Sequence, residues 1–377
     1  MSEIEIVEVL TKKQRKEFIL FPFKLYAKKE YWVPPLIMDQ IEMLNPKKGT
    51  YFEHSEAHLF LAYRENKIVG RISAHNNTRH NKTHKDKVGF FGFYESIDDQ
   101  KVANALFETA YKWLQEKGYD TMRGPMSFSV NEEAGLLVDG FHSPSFLMNV
   151  WNKRYYQALF ENWGLKKTMD LYAYRITIEP LPERVVKIAE RAQKRYGFEI
   201  ITLPMKDKKK QKDFLDKVFQ VYRDAWSSNW GYVPMTPREF KHTVDTLIQF
   251  ALPEFVYIAV KGDEVLGTQV VLPDYNEVLK KMNGRLFPFG ILKLLYYRNK
   301  ITGLRTPIMG VTEAYRNKGV DIAFYAKSWD VAVNHKRKWV TGEFSWILEN
   351  NVMMNRMSKT LGAEIDKVYR VYDKAIK

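Results

Sequence analysis

The stretch RTPIMGVTEAYRNKGVDIAF sets Arg316, Asn317, Lys318, Gly319, Val320 and Asp321 between an apolar run and the apolar period of a helix. A strand, a basic glycine-containing turn and a helix N-terminus bring backbone N–H groups and the positive end of the helix dipole to one spot, which suits a pyrophosphate. In MRGPMSFSVNEEAGLLVDGFHSP, Glu133 stands beside Leu136 and Leu137. An apolar flank raises a carboxyl pKa, and such a group can take a proton from an amine. Glu343, on the strand after the second central helix, is the rival base. The chain has no cysteine, so a thiolate nucleophile, a disulfide and a cysteine metal site are excluded.

These residues need a framework, and the chain supplies one twice. HLFLAYRENKIVGRIS lies on FVYIAVKGDEVLGTQV with Ala62 on Ala259 and Gly70 on Gly267, both 197 positions apart. Ala105 falls on Ala323 and Gly124 on Gly342 at 218, then Asn152 on Asn350 and Gly164 on Gly362 at 198. The shared order reads as a tandem duplication, with domains over 1–178 and 197–377 and a linking helix over 179–196. The changing offset places insertions of about 21 residues before the second central helix and about 20 after the following strand of the first half. Each half reads as strand, helix, helix, hairpin, strand, helix, strand, helix, strand. Val102, Leu106, Ala110 and Trp113 form the stripe of the first central helix, capped by Asp98 or Asp99; Ile322, Ala326, Trp329 and Val333 form the second. The alternation indicates an α/β or α+β layered fold.

With 377 residues, 45% hydrophobic and 28% charged, the chain suits two cores and not disorder. Its 59 Lys and Arg against 45 Asp and Glu leave +14, which favours a phosphate-rich cofactor, an anionic membrane face or nucleic acid. The first residues carry acids rather than an apolar signal segment, and no window reaches the roughly 20 apolar residues of a spanning helix. A cytoplasmic location is expected, with the inner membrane face as a peripheral alternative. LFPFGILKLLYY, Leu286 to Tyr297, is too short to cross a bilayer; it suits an acyl channel or a membrane surface, beside basic runs such as KDKKKQK at 206–212. His54 and His58, and His75, His80 and His84, lack an accompanying pattern of acidic ligands, so no metal site is expected.

The loop from Arg316 to Asp321 resembles the R/Q-x-x-G-x-G/A coenzyme A loop of the Gcn5-related N-acetyltransferase (GNAT) superfamily, and the elements around it resemble that fold over nearly all of both halves. The resemblance implies two tandem GNAT-like domains with mixed central sheets, and acyl-CoA or acetyl-CoA as co-substrate, without a metal. It implies that N–H groups near Val311 polarise a thioester, that Arg316 to Asp321 hold the diphosphate, and that Asn351 or Asn350 starts the closing helix. Glu343 would lie on the strand beside the thioester. Two positions depart from the pattern: Asp321 replaces a small loop residue, and Ser358 and Phe160 stand where the superfamily often has a tyrosine acid. In the first half Asp98 and Asp99 underlie Arg316 and Asn317. At about 5 Å and an effective dielectric near 20, each carboxylate facing a phosphate charge costs about 3 kcal/mol. Coenzyme A therefore belongs to the second half, and the first is degenerate.

The first half also resembles a bacterial group of GNAT-like proteins sharing RGP, N-x-E-x-G-L-L, G-F and N-x-x-Y-Y. That resemblance singles out Arg123, Gly124, Asn131, Glu133, Gly135, Gly140, Asn152, Tyr155 and Tyr156. Glu133, Glu343 and Tyr155 are the catalytic candidates; Arg123, Asn131, Asn152 and Tyr156 are the substrate-binding ones. The expected reaction is N-acyl transfer from acyl-CoA, or an acyl carrier protein's pantetheine arm, to an amine entering at the junction of the halves. The amine is a small molecule or a lipid amine, and a long acyl chain fits the apolar insertion. A Fem-like transferase using aminoacyl-tRNA, for which +14 would be the RNA footprint, and a non-catalytic GNAT-fold binding protein are the alternatives. Nucleic acid ranks below the small-molecule partners.

Overall fold

The computed structural model describes residues 3–26 and 31–377. It divides into two compact units: Met1–Tyr172 with Asn276–Leu295 and Asp366–Lys377, and Ala173–Tyr275 with Tyr296–Ile365. The last segment of the chain thus belongs to the first unit, and the segment from Ala173 already belongs to the second.

The elements in the first part of the chain are β1 (Glu5–Glu8), α1 (Lys12–Leu25), α2 (Ile37–Met43), β2 (Ala57–Arg64), β3 (Lys67–Asn76), α3 (Thr78–His84), β4 (Val88–Ser96), α4 (Gln100–Glu116), β5 (Thr121–Gly124), β6 (Met126–Ser127), β7 (Glu133–Ala134), β8 (Leu136–Asp139), α5 (Tyr156–Asn162) and β9 (Lys166–Thr177). There follow α6 (Glu183–Tyr196), β10 (Glu199–Thr202), α7 (Lys208–Trp226), α8 (Pro237–Phe250), β11 (Val256–Lys261), β12 (Glu264–Pro273), α9 (Asn276–Met282), α10 (Gly290–Tyr297), β13 (Gly303–Val311), α11 (Val320–Asn334), β14 (Thr341–Leu348), α12 (Val352–Thr360) and β15 (Glu364–Ala375). The sheet of unit 1 runs β1-β2-β3-β4-β5-β15, and that of unit 2 runs β14-β13-β12-β11-β10. In each, two strands run parallel, β4 with β5 and β13 with β14, inside otherwise antiparallel neighbours. This is the α/β fold with mixed sheets that the alternation of elements predicts.

The repeated hairpins pair alike. Ala62 faces Gly70 and Ala259 faces Gly267, and each ladder shifts at the next residue, after Ala62 and after Ala259. The two glycines mark where the central helix meets the sheet. A Cβ on Gly70 would lie 2.7 Å from Leu106 of α4, and one on Gly267 would lie 3.0 Å from Phe324 of α11. Asp99 caps α4, its Oδ1 accepting from the Lys101 N–H at 2.8 Å. The α4 stripe is Val102, Ala103, Leu106, Phe107, Ala110 and Leu114, with Trp113 at its edge. On α11 the buried face is Ala323, Phe324, Tyr325, Ser328, Trp329 and Ala332; Ile322 and Ala326 are partly buried and Val333 is exposed. The expected stripe is displaced because α11 is packed on two sides, by its sheet and by α6, which contributes Ala189 and Ala192 to the same core. A two-sided helix blurs a single 3.6-residue period.

Candidate functional site

In unit 2, β13 and β14 pair from Gly303 with Thr341 as far as Thr306 with Phe344. The next residue on β13 is Pro307, which has no N–H to continue a ladder. Both strands run on, to Val311 and Leu348, and a recess of about 580 Å³ opens along them. Trp226, Trp230, Tyr325 and Trp346 help to wall it. Gly310 admits Trp226 against the strand: a Cβ there would lie 2.2 Å from the indole ring.

The loop from Arg316 to Asp321 closes one end of this recess. Asn317 and Gly319 have positive φ, 62° and 77°, which turns the chain into α11. Gly319 caps α11 without a side chain, and a Cβ on it would meet Ala192 of α6 at 2.7 Å. Arg316, Asn317, Asp321, Val311 and Asn351 line the recess. Arg316 is held at its tip, donating from Nη2 to the Ala225 carbonyl at 3.1 Å. Lys318 lies over the rings of Tyr315 and Tyr196, and Val320 is buried in the core. Asp321 turns back on its own helix, its Oδ1 accepting from the Ile322 N–H at 2.9 Å. Burial raises its carboxyl pKa, with the backbone N–H groups of Ile322 and Asp321 opposing. Asn351 caps α12 by accepting from the Met354 N–H at 3.2 Å, and Asn355 donates to the carbonyls of Leu348, Glu349 and Asn351. Ser358 is buried and donates to Met354.

Glu343 faces away from such chemistry. It is fully buried, accepts a short hydrogen bond from Ser345 Oγ, and lies 3.7 Å from Arg305 Nε. Arg305 is its register partner on β13 and also donates to Ser345 Oγ at 2.9 Å. A carboxylate sealed against a buried guanidinium holds two strands together, and removing it strands a buried charge. Glu343→Gln is expected to cost about 3–5 kcal/mol of stability, read as a lower denaturant midpoint. Lost turnover at unchanged stability would return Glu343 to the role of base.

Among the described residues of unit 1, the short link from β4 to α4 has no counterpart of the turn from Arg316 to Gly319. Asp99 spends its charge on the α4 cap and on Arg64, 2.7 Å away, and the Arg64 hydrogen bond holds its carboxyl below the usual range. Ser96 pairs with Gly70 as Val311 pairs with Gly267, so Glu95 takes the strand position that Gly310 takes in unit 2. Glu95 Oε2 accepts from the hydroxyls of Tyr26 and Tyr156, both at 2.7 Å, and Arg71 approaches Oε1 at 3.9 Å. Burial raises the Glu95 carboxyl, and Arg71 and the two tyrosines draw it back. Sequence reasoning missed Glu95, Tyr26 and Arg71; the available signal was one acid in the apolar strand VGFFGFYES.

Glu133, on β7, is exposed to solvent, with its carboxyl crowded by surrounding protein atoms. Desolvation raises its carboxyl, with the charge of Arg71 opposing, and its own charge acts on Glu95. Tyr155 donates to the Ser96 carbonyl at 2.8 Å. Thus Glu133, Tyr155 and Tyr156 gather about the end of β4, whereas Asn152 and Arg123 serve the framework. Asn152 uses its amide on the N–H and C=O of Leu137, as a strand would. Arg123 makes a bidentate pair with Asp373 at 2.7 and 2.8 Å, and Asn131 donates its backbone N–H to Ser129 Oγ at 3.2 Å. Among the described residues no three His, Asp or Glu side chains gather as metal ligands.

No family model matches the chain. It is 33% identical over 386 residues to the bacterial ceramide synthase of Caulobacter vibrioides, covering 100% of this chain and 98% of that protein. It is 35% identical over 378 residues to protein YghO of Escherichia coli, covering 97% and 94%. The chain belongs to the family of these two proteins. Among solved structures, a tandem GNAT protein from the clavulanic acid biosynthesis pathway matches over 100% of this chain and 99% of its own, with a TM-score of 0.58 at 10% identity. A GCN5-related N-acetyltransferase from Sphaerobacter thermophilus matches over 99% and 96%, with a TM-score of 0.52 at 11% identity. This member of the ceramide synthase and YghO family therefore has the tandem GNAT fold, and family and fold together support N-acyl transfer as its reaction class. The recess along β13 and β14 of that fold ends at Arg316 and the start of α11.

Proposed function

We propose that this protein transfers a long acyl chain from acyl-CoA to the amine of a long-chain amino lipid. The observation that carries the proposal is the recess between β13 and β14, which ends at Arg316 and the start of α11. The lipid class comes from the full-length similarity to a ceramide synthase, a ceramide being an N-acylated long-chain amino alcohol. Arg316 and the first N–H groups of α11 hold the diphosphate, and N–H groups of β13 near Val311 polarise the thioester carbonyl. The amine nitrogen bonds to the carbonyl carbon, a general base takes its proton, and the C–S bond breaks to release coenzyme A; Glu133 is the candidate base. Tyr156 orients Glu95, whose charge interacts with that of Glu133, and Tyr155 fixes the adjoining Ser96 carbonyl. A thiolate is a weaker base than an alkoxide or amide ion and departs readily, so the proposed step has no acid at Ser358.

Calorimetric titration with coenzyme A, acetyl-CoA and palmitoyl-CoA tests the donor. Palmitoyl-CoA is expected to bind at least about tenfold tighter than acetyl-CoA, a difference of about 1.4 kcal/mol. Equal binding of the two thioesters would remove the long chain from the proposal, and no binding of either would remove coenzyme A.

A further inference from the structure

The segment between β12 and β13 contains an apolar helix whose outer face is bare. On α10 and the residues before it, Phe287 is 66% exposed, Phe289 71%, Leu292 61%, Leu295 49% and Tyr296 61%. The other face is seated: Gly290 is buried, and Ile291, Leu294 and Tyr297 are partly buried. A helix apolar on all sides belongs inside a protein or a membrane, and contiguous exposed apolar surface of this kind marks an interaction site. Among the described residues, no helix is long and apolar enough to cross a membrane.

Charge identifies the occupant. Between Glu277 and Glu313 there is no acidic residue, while Lys280, Lys281, Arg285, Lys293, Arg298 and Lys300 flank the apolar side chains. Lys300 Nζ lies 3.8 Å from the Tyr296 ring centre, so cation and aromatic stand together at the rim. Exposed aromatic and leucine side chains beside lysine and arginine match the boundary between lipid tails and anionic headgroups. A second copy of the chain fits less well, because a twofold interface would set the same cations against one another.

We propose that Phe287 to Tyr296 dock this protein on the anionic face of a lipid bilayer, the apolar side chains entering the headgroup boundary and the flanking cations meeting acidic lipid. The inference stands apart from the acyl-transfer reading, and vesicle binding is measured without substrate. The full chain is sedimented with vesicles of phosphatidylcholine alone and with vesicles rich in phosphatidylglycerol, at low and moderate salt. The wild type is expected to bind phosphatidylglycerol vesicles at least tenfold better, and to weaken with salt. The variant F287S/F289S/L292S should lose at least tenfold of that binding with unchanged circular dichroism, since these side chains are exposed. K293E/R298E/K300E should lose the preference for phosphatidylglycerol. Equal binding of the wild type to both vesicles, no binding to either, or undiminished binding by the serine variant would overturn the proposal. So would a concentration-dependent dimer that the serine variant converts to monomer, because a second copy would then own the face.

Discussion

Replacing Glu133 by Gln lowers kcat by about 10²- to 10⁴-fold, the range a positioned general base contributes, and leaves acyl-CoA affinity unchanged. The side chain keeps its size, so folding is unaffected while the proton acceptor is lost. Glu133 suits that task because desolvation raises its carboxyl above the usual range and Arg71 only partly offsets this. A base acts in its ionised form, so wild-type kcat/KM should rise with pH through a pKa above that of an ordinary glutamate, about 4.3. The Gln variant should lose that ascending limb. Undiminished turnover in the variant, with the limb intact, would take Glu133 out of the reaction. Glu343 is distinguished from it by the readout: its loss lowers stability, through the stranded Arg305.

Arg316→Glu weakens acyl-CoA binding by more than about 100-fold in calorimetry. At about 5 Å and an effective dielectric near 20, one charge against another is worth about 3 kcal/mol, and this change both removes an attraction and adds a repulsion. The fold should survive, since Arg316 is exposed and its tip hydrogen bond is to the Ala225 carbonyl. Asp321 supplies the opposite sign in the same recess. Asp321→Asn should tighten acyl-CoA binding. Burial raises the Asp321 pKa, so the carboxyl is neutral below that value and charged above it. Wild-type affinity should accordingly fall as pH rises through that pKa, and the Asn variant should lose this dependence. Unchanged affinity in the Arg316 variant would remove the loop from the site.

Much of this was legible in the residue order because it depends on neighbours a few positions apart. The two hairpins announce themselves through alternation and polar turns, and their common register rests on Gly70 and Gly267, where a helix needs close approach. The loop from Arg316 to Asp321 is readable for the same reason: a strand, a positive-φ glycine and a helix start are consecutive. The sequence by itself also determined that the chain has no cysteine to serve as a nucleophile or metal ligand and that Leu286 to Tyr297 is apolar among cations. Tertiary structure decided what depends on partners far away in the chain. Glu133 and Glu343 look equivalent as letters, yet Glu343 is sealed because its register partner is Arg305, whereas Glu133 opens to solvent. Glu95 joins Tyr26, Arg71 and Tyr156 only when β4 comes beside β3 and α5 folds back. Asn152 sits in a polar motif, but its amide completes the backbone of Leu137. Arg123 is claimed by Asp373 because the last segment of the chain belongs to the first unit. Periodicity reports which face a residue presents; the partner waiting there is set by strand pairing across hundreds of residues, and pairing at that distance leaves no local pattern.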